Sequence, residues 1–260
     1  MDNHHAIKSR LRSELIGKLP INAGDRILDL GCGTGNWSIL TADRVGLKGA
    51  VVGVDCDRET LEHAERRRIT HPLKEAIRFQ VGDITACDLN VDAYDGVLLF
   101  NVLSYLPTPA ALVTRVCASM KKTARLYIKD SDLQSDFFWP VPYDLYSTLI
   151  AAVAVGGERR IPGNYNPFFA REMPSILHAL PNIRVVTLSQ SFSLLGLMNP
   201  EERDYVRANA TMLAAAAEQN GASDAASRWL GLFAEGPNCV LDDPAFIYTM
   251  TEFIFQISCA

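Results

Sequence analysis

The 260-residue chain predicts an α/β fold. A seven-stranded, mostly parallel sheet is covered by helices on both faces, its last strand is antiparallel, and insertions form a helical cap. Three observations carry this. Short apolar runs alternate with helix-length stretches through the first half, and each run is almost continuously apolar, as in strands buried on both faces. Gly31, Gly33 and Gly35 join the first run to a helix. Polar residues recur just past the apolar runs, at Asp55, Asp83, Asn101 and Asp130, where parallel sheets bind ligands.

The elements follow in order. Residues 7–19 place Ile7, Leu11, Leu15, Ile16 and Leu19 on one helical face, and Pro20 ends that helix. Residues 26–30 predict the first strand and 36–45 its crossover helix. Residues 50–54 predict a second strand, 58–67 a helix, 77–81 a third strand and 94–100 a fourth. A helix follows over 108–121, with Pro109 in its first turn, and then a fifth strand over 124–128. Beyond Asp130 the regularity breaks. Residues 132–142 are aromatic and proline-rich, 143–155 and 170–180 read as helices, and 156–169 as loop. A sixth strand is expected over 183–187. Helices over 200–220 and 222–233 are inserted before a closing strand over 246–257, which is expected beside the sixth. The expected organisation is one domain over 1–260. Its core is 22–131 with 183–193 and 246–259, and its cap segments are about 132–180 and 199–235.

Composition bounds the function. The hydrophobic share of 48% and charged share of 21% are those of an ordinary globular chain. A net charge of -5 with scattered Lys and Arg argues against nucleic acid as the main partner. Arg66-Arg67-Arg68 reads as a solvated helix face. The six cysteines form no CxxC pair and no His stands at ligand spacing from them, so no metal site is expected. Residues 1–10 hold no apolar segment of secretory type and no apolar run is long enough to span a bilayer, so the expectation is a cytoplasmic protein with reduced thiols and no membrane partner.

The glycine turn is spaced G-x-G-x-G with Asp29 two residues ahead. A dinucleotide fingerprint is G-x-G-x-x-G, and a carboxylate there sits poorly beside a pyrophosphate. It suits a ligand with a cationic amino group. Asp55, twenty residues on from Gly35, is placed to accept ribose hydroxyls. Asp83 could accept from an exocyclic adenine amine. Together they describe a pocket for an adenosine with an amino-acid-like tail.

Asp29-Leu30-Gly31-Cys32-Gly33-Thr34-Gly35, Asp55, Gly82-Asp83-Ile84 and the stretch from Asp95 to Leu106 resemble the class I S-adenosylmethionine-dependent methyltransferase family, over about residues 22–131. The resemblance implies a Rossmann-like fold and S-adenosylmethionine as cofactor, with S-adenosylhomocysteine as product. It implies that the loop of Gly31, Cys32, Gly33 and Gly35 lies against the methionine part. Asp55 would hold the ribose, Cys56 pack beside the adenine, Asp83 and Ile84 reach the adenine edge, and Phe100, Asn101 and Val102 line the sulfonium side. Trp37 departs from the commoner small residue and would wall the cofactor or substrate. The family's N-P-P-Y type motif is absent, since Asn101-Val102-Leu103-Ser104 follows the fourth strand. That argues against a nucleic-acid base or glutamine amide as acceptor.

The expected reaction is methylation of a small molecule on O, N or C, in specialised metabolism. A protein performing it must align the nucleophile and exclude water, and needs a base only if the acceptor loses a proton. Asp130 is the favoured base, though a turn or capping role fits it too. His178 is the second candidate and reads equally as an exposed helical histidine. Tyr105, Asp132, Tyr143, Tyr146 and Tyr165 are candidate acceptor contacts, and Asp132 could instead cap the next segment. Phe137, Phe138 and Trp139 fit either an apolar pocket or core. Gly156-Gly157 and Pro162-Gly163 are candidate cap hinges. A non-methylating enzyme on the same cofactor, a cofactor-binding regulator and a nicotinamide oxidoreductase remain as alternatives, and oligomeric state is undetermined.

Overall fold

The computed structural model describes residues 2–157 and 165–259. The first apolar run folds as β1 (Arg26–Leu30), four of its five residues buried, after helix α1 (Asp2–Lys18). Then come α2 (Asn36–Val45), β2 (Ala50–Asp55), α3 (Arg58–Ile69), β3 (Ile77–Val81), β4 (Gly96–Phe100), α4 (Pro109–Ser119) and β5 (Arg125–Ser131). The second half forms β6 (Phe137–Trp139), α5 (Tyr143–Gly157), α6 (Met173–His178), β7 (Ile183–Leu195), α7 (Pro200–Gln219), α8 (Ser223–Phe233) and β8 (Ile247–Cys259). The sheet order is β3-β2-β1-β4-β5-β8-β6, with β7 also on β8; β1 to β5 run parallel, and antiparallel pairing enters with the C-terminal strands. The fold is therefore the expected mostly parallel α/β sheet.

The chain divides into two compact units, Arg12–Asp130 with Glu172–Ser189 and Phe253–Ala260, and Met1–Leu11 with Ser131–Arg171 and Gln190–Glu252. In the first, β1 to β5 are parallel, with Leu30 opposite Val54, Asp55 opposite Val81 and Phe100 opposite Lys129. Its core joins Leu15 and Ile16 of α1, and Leu19 just after it, to Trp37, Val51, Leu98, Phe100, Tyr127 and Ile254. Burying each such side chain contributes about 1.5–3 kcal/mol. The Tyr127 hydroxyl donates to the Pro20 carbonyl at 3.2 Å, so the chain following α1 is tied to the sheet.

The second unit has its own core of Phe138, Leu149, Tyr205, Leu213, Trp229 and Tyr248. Trp229 and Phe138 meet edge-to-face at 5.1 Å, and the Trp229 indole donates to the Ala210 carbonyl at 3.0 Å. That geometry lets a large aromatic be buried without an orphaned N–H. Helix α7 starts with a full capping box, Asn199 with Glu202, and Pro200 in the first turn.

Helix α1 begins earlier than expected, at Asp2, and β5 runs on to Ser131 and so takes in Asp130, expected just past it; three further elements differ from expectation. An eighth strand, β6, pairs antiparallel with β8, Phe138 opposite Tyr248. Three residues between prolines and acids carry no readable period. The expected 183–187 strand extends to Leu195. Its distal half alternates with serines, whose hydroxyls pair across to β8, Ser191 with Thr251 at 3.0 Å and Ser193 with Thr249 at 2.8 Å. The expected 170–180 helix is a 3-10 turn, Phe169–Glu172, followed by the short α6. Among the described residues no helix is long and apolar enough to cross a membrane, and no group of three or more His, Cys, Asp or Glu could hold a metal ion. Pro162-Gly163 lies outside the described residues, and Gly156-Gly157 closes α5.

Candidate active site

The turn after β1 is held by backbone contacts that its glycines permit. Gly31, Gly33 and Gly35 have φ of 72°, 53° and 73°, the left-handed region where Cβ is penalised. The Gly31 and Cys32 amides donate to the Val54 carbonyl at 2.7 and 3.1 Å. The Gly33 amide donates to Asp55 Oδ2 at 2.8 Å, and Asp57 N–H donates to Asp55 Oδ1 at 3.0 Å. One carboxylate at the end of β2 therefore braces the turn after β1. A Cβ on Gly35 would stand 2.6 Å from Phe79 Cζ, so helix and strand pack too closely there for any side chain. Helix α2 starts at Gly35 without a side-chain cap and without an acid in its first turn. Its leading N–H groups and dipole thus favour a negatively charged ligand group.

Asp29 does not stand in the open. It is buried and accepts from the Ser38 hydroxyl at 2.5 Å. Burial pushes its carboxyl up to about 7, the Ser38 hydrogen bond opposes this, and the Asp55 charge adds to it. A ligand cation nearby would reverse that shift. Cys32 is also buried, and burial with the two neighbouring carboxylates holds its thiol well above its ordinary range, which keeps it unreactive. Cys56 follows Asp55 on the surface.

Asp83 is exposed at the end of β3, and its Oδ1 accepts from the Thr85 amide and hydroxyl at 2.8 and 2.7 Å. These bonds lower its pKa, the hydroxyl first. The Gly82 amide donates to the Asp55 carbonyl at 2.9 Å. With the parallel registers, Asp29, Asp55 and Asp83 occupy one edge of the sheet, on β1, at the end of β2 and just past β3. Ile84 is buried, and its carbonyl accepts from Arg115 of α4.

Phe100, the last residue of β4, forms a strap with Asn101 and Val102 after it. Phe100 meets Trp37 edge-to-face at 4.8 Å. Asn101 is left-handed, φ 57°, and its amide donates to the Lys129 carbonyl. Val102 packs where a Gly31 Cβ would stand. Asp130 is buried within β5, and its charge together with burial raises the Tyr105 phenol, burial contributing most. The Asp130 charge is thus felt by Tyr105, half of which remains exposed. His178 is exposed in the last turn of α6.

The remaining candidates belong to the second unit. Asp132 accepts from Arg171 Nε at 2.6 Å and Nη2 at 2.5 Å and from the Gln134 amide at 3.0 Å. It caps a turn and holds an arginine. Tyr146 donates to the Asp136 carbonyl at 2.8 Å and stacks on Trp229 at 5.6 Å, as part of the core. Tyr143 is 82% exposed. Tyr165 shares a hydrogen bond with Ser131 at 3.2 Å. Phe138 is core, and strand alternation leaves Phe137 and Trp139 half-exposed.

Several residues of the site escaped sequence reasoning. Arg66 is exposed, but Arg67 is no bystander on a solvated face. It donates to the Thr34 carbonyl at 3.0 Å and to Asn36 Oδ1 at 2.7 Å, which ties α3 to the glycine turn. Arg68 holds Glu65 and the Lys74 carbonyl. Ser38, three residues past the last glycine, and Lys129, a cation inside an apolar strand, carried the available signals.

Comparisons with known proteins bear on the family. The chain is 35% identical over 86 residues to a demethylmenaquinone methyltransferase of Symbiobacterium thermophilum, covering 33% of this chain and 34% of that one. It is 26% identical over 122 residues to the 27-O-demethylrifamycin SV methyltransferase of Amycolatopsis mediterranei, covering 47% and 44%. The matches thus span about a third to a half of these relatives' lengths. A SAM-dependent methyltransferase of Thiobacillus denitrificans, solved with S-adenosylhomocysteine, shares the fold at TM-score 0.52 and 15% identity, covering 96% of this chain and 91% of that one. The family model described as a methyltransferase domain matches residues 21–153, slightly more than half of the sequence, and the chain belongs to that family.

Proposed function

We propose that this protein binds S-adenosylmethionine and methylates a small-molecule acceptor on O, N or C. The observation that carries the reading is the row of Asp29, Asp55 and Asp83 along one sheet edge, beside a glycine turn that leads into an uncapped helix. The donor set fits the cofactor. Asp55 accepts ribose hydroxyls with the carboxylate lone pairs that the two backbone amides leave over. Asp83 accepts an adenine amine, Ile84 offers an apolar surface, and α2 favours the amino-acid carboxylate. Asp29 supplies negative charge beneath the amino group.

When bound, the cofactor supplies a methyl carbon already activated by its sulfonium. The protein contributes alignment and a dry wall, made by Trp37, Phe100 and Val102, all buried. Asp130 takes the proton of an acceptor O–H or N–H in reactions that need a base. The acidic chain disfavours a nucleic-acid acceptor, and the rifamycin methyltransferase relative supports an acceptor of specialised metabolism. A cytoplasmic location is part of the same proposal, supported by cysteines that stand without a CxxC pair in the sequence.

Thermal melts of the purified protein test the reading. S-adenosylhomocysteine should raise the midpoint and nicotinamide dinucleotides should not, and the opposite result rejects the proposal. Incubation with S-adenosylmethionine and a panel of hydroxylated and aminated small molecules should then yield products one methylene heavier. A product of unchanged mass would point to a rearranging enzyme on the same cofactor.

A further inference from the structure

Lys129 is the least expected charge in the protein. It lies in β5 between Ile128 and Asp130, inside an apolar strand, and is 1% exposed. Taking an ammonium out of water costs several kcal/mol unless close partners offset it. Its Nζ donates to Asn101 Oδ1 at 2.7 Å and stands 5.6 Å from the centroid of the Trp37 ring. Asn101 is the residue of the β4 strap with left-handed backbone, which an L side chain adopts at a cost. Lys129 reaches it twice, since the Asn101 amide donates to the Lys129 carbonyl at 2.8 Å. Trp37 in turn packs on Phe100, the residue before. Two residues of the strap, Phe100 and Asn101, are thus held by groups that Lys129 contacts or faces.

We infer that Lys129 is a positioning residue for the sulfonium end of the cofactor site: its buried ammonium holds Asn101 in the left-handed turn and so fixes the Phe100–Val102 strap. The inference rests on the reading of that strap as the cofactor wall. Lys129 need not touch the cofactor. Asparagine at 101 is explained by the same contact, because glycine would give the turn more easily but could not accept from the ammonium. The adenine and ribose side is anchored separately, through Asp55, Asp83 and Arg115.

Titration calorimetry on the full chain with two ligands tests this. S-adenosylhomocysteine spans the whole site, whereas adenosine reaches only the Asp55 and Asp83 side. Lys129→Met should weaken S-adenosylhomocysteine binding by about tenfold, the loss of one charge-assisted hydrogen bond, and leave adenosine binding within about twofold. Asn101→Ala, which removes the accepting carboxamide while keeping the ammonium, should do the same, and it carries the test if Lys129→Met does not fold. Lys129→Met should cost less in an Asn101→Gly background, where the turn no longer needs holding. Equal weakening of both ligands, or no weakening of either, would overturn the assignment by making Lys129 a general packing residue. Wild-type protein that binds adenosine but not S-adenosylhomocysteine would instead remove the cofactor reading on which the inference stands.

Discussion

Replacing Asp55 by alanine should weaken S-adenosylhomocysteine binding over and above its cost to the fold. Its Oδ2 accepts from Gly33 at 2.8 Å and its Oδ1 from Asp57 at 3.0 Å, so the carboxylate already organises both loops. Ribose hydroxyls would add further bonds to the same charged oxygens. A hydrogen bond to a charged group contributes about 1.5–3 kcal/mol, and part of each is returned by water in the free protein. Two ribose bonds lost, together with a loosened Gly33, give a penalty of about 2–4 kcal/mol, or roughly thirty-fold to several-hundred-fold in affinity. Titration calorimetry with S-adenosylhomocysteine measures this, with urea unfolding of the free protein alongside. Asp55→Asn should fall between the two, because it keeps one acceptor oxygen but loses the charge. Asp57→Ala is the control. Asp57 caps α3 through the Glu59 and Thr60 amides, so its loss should lower the unfolding midpoint and barely change affinity. Asp55→Ala protein that is folded and binds within threefold of wild type would refute the ribose assignment.

The other predictions concern packing, pH and turnover. Gly35→Ala should cost about 2–4 kcal/mol by urea unfolding, from about 1 kcal/mol for φ 73° plus overpacking against Phe79 at 2.6 Å. Gly221→Ala, at φ 86° with open space around it, should cost only the backbone share of about 1 kcal/mol, and equal costs would refute the packing argument. Burial pushes the Asp136 carboxyl up to about 7, against the Tyr248 hydrogen bond and the charge of Lys8, with Asp132 adding to the rise. The folded state then holds its proton more tightly than the unfolded chain, so stability falls as pH rises from the ordinary carboxylate range through 7. Asp136→Asn should remove up to about 4 kcal/mol of that decline, and coincident midpoint-versus-pH curves would refute the shift. Once an acceptor is found, Asp130→Asn should lower turnover with little change in S-adenosylhomocysteine affinity; unchanged turnover with an O–H or N–H acceptor would show that the base is another group.

By itself the sequence determined the parallel sheet, the glycine turn and the order of polar strand ends. These are local facts. Near-continuous apolar runs, helix-length spacing and glycines at fixed positions act within a few residues, so β1, α2 and β3 appear at their expected bounds. The late strands were less legible, because β6 is three residues long and β7 is half serine-alternating, and both exist by pairing with β8. The candidate acceptor contacts depended on tertiary structure in the same way. Nothing local says that Asp132 meets Arg171, thirty-nine residues away, or that Tyr146 turns into a core with Trp229. Only the packed chain decided that Arg67 braces the glycine turn, that Asp29 is enclosed with Ser38, and that Lys129 is buried against Asn101 and Trp37. A charge's environment is set by neighbours distant in sequence, and its cost or use follows from burial and partners, which no period or spacing encodes.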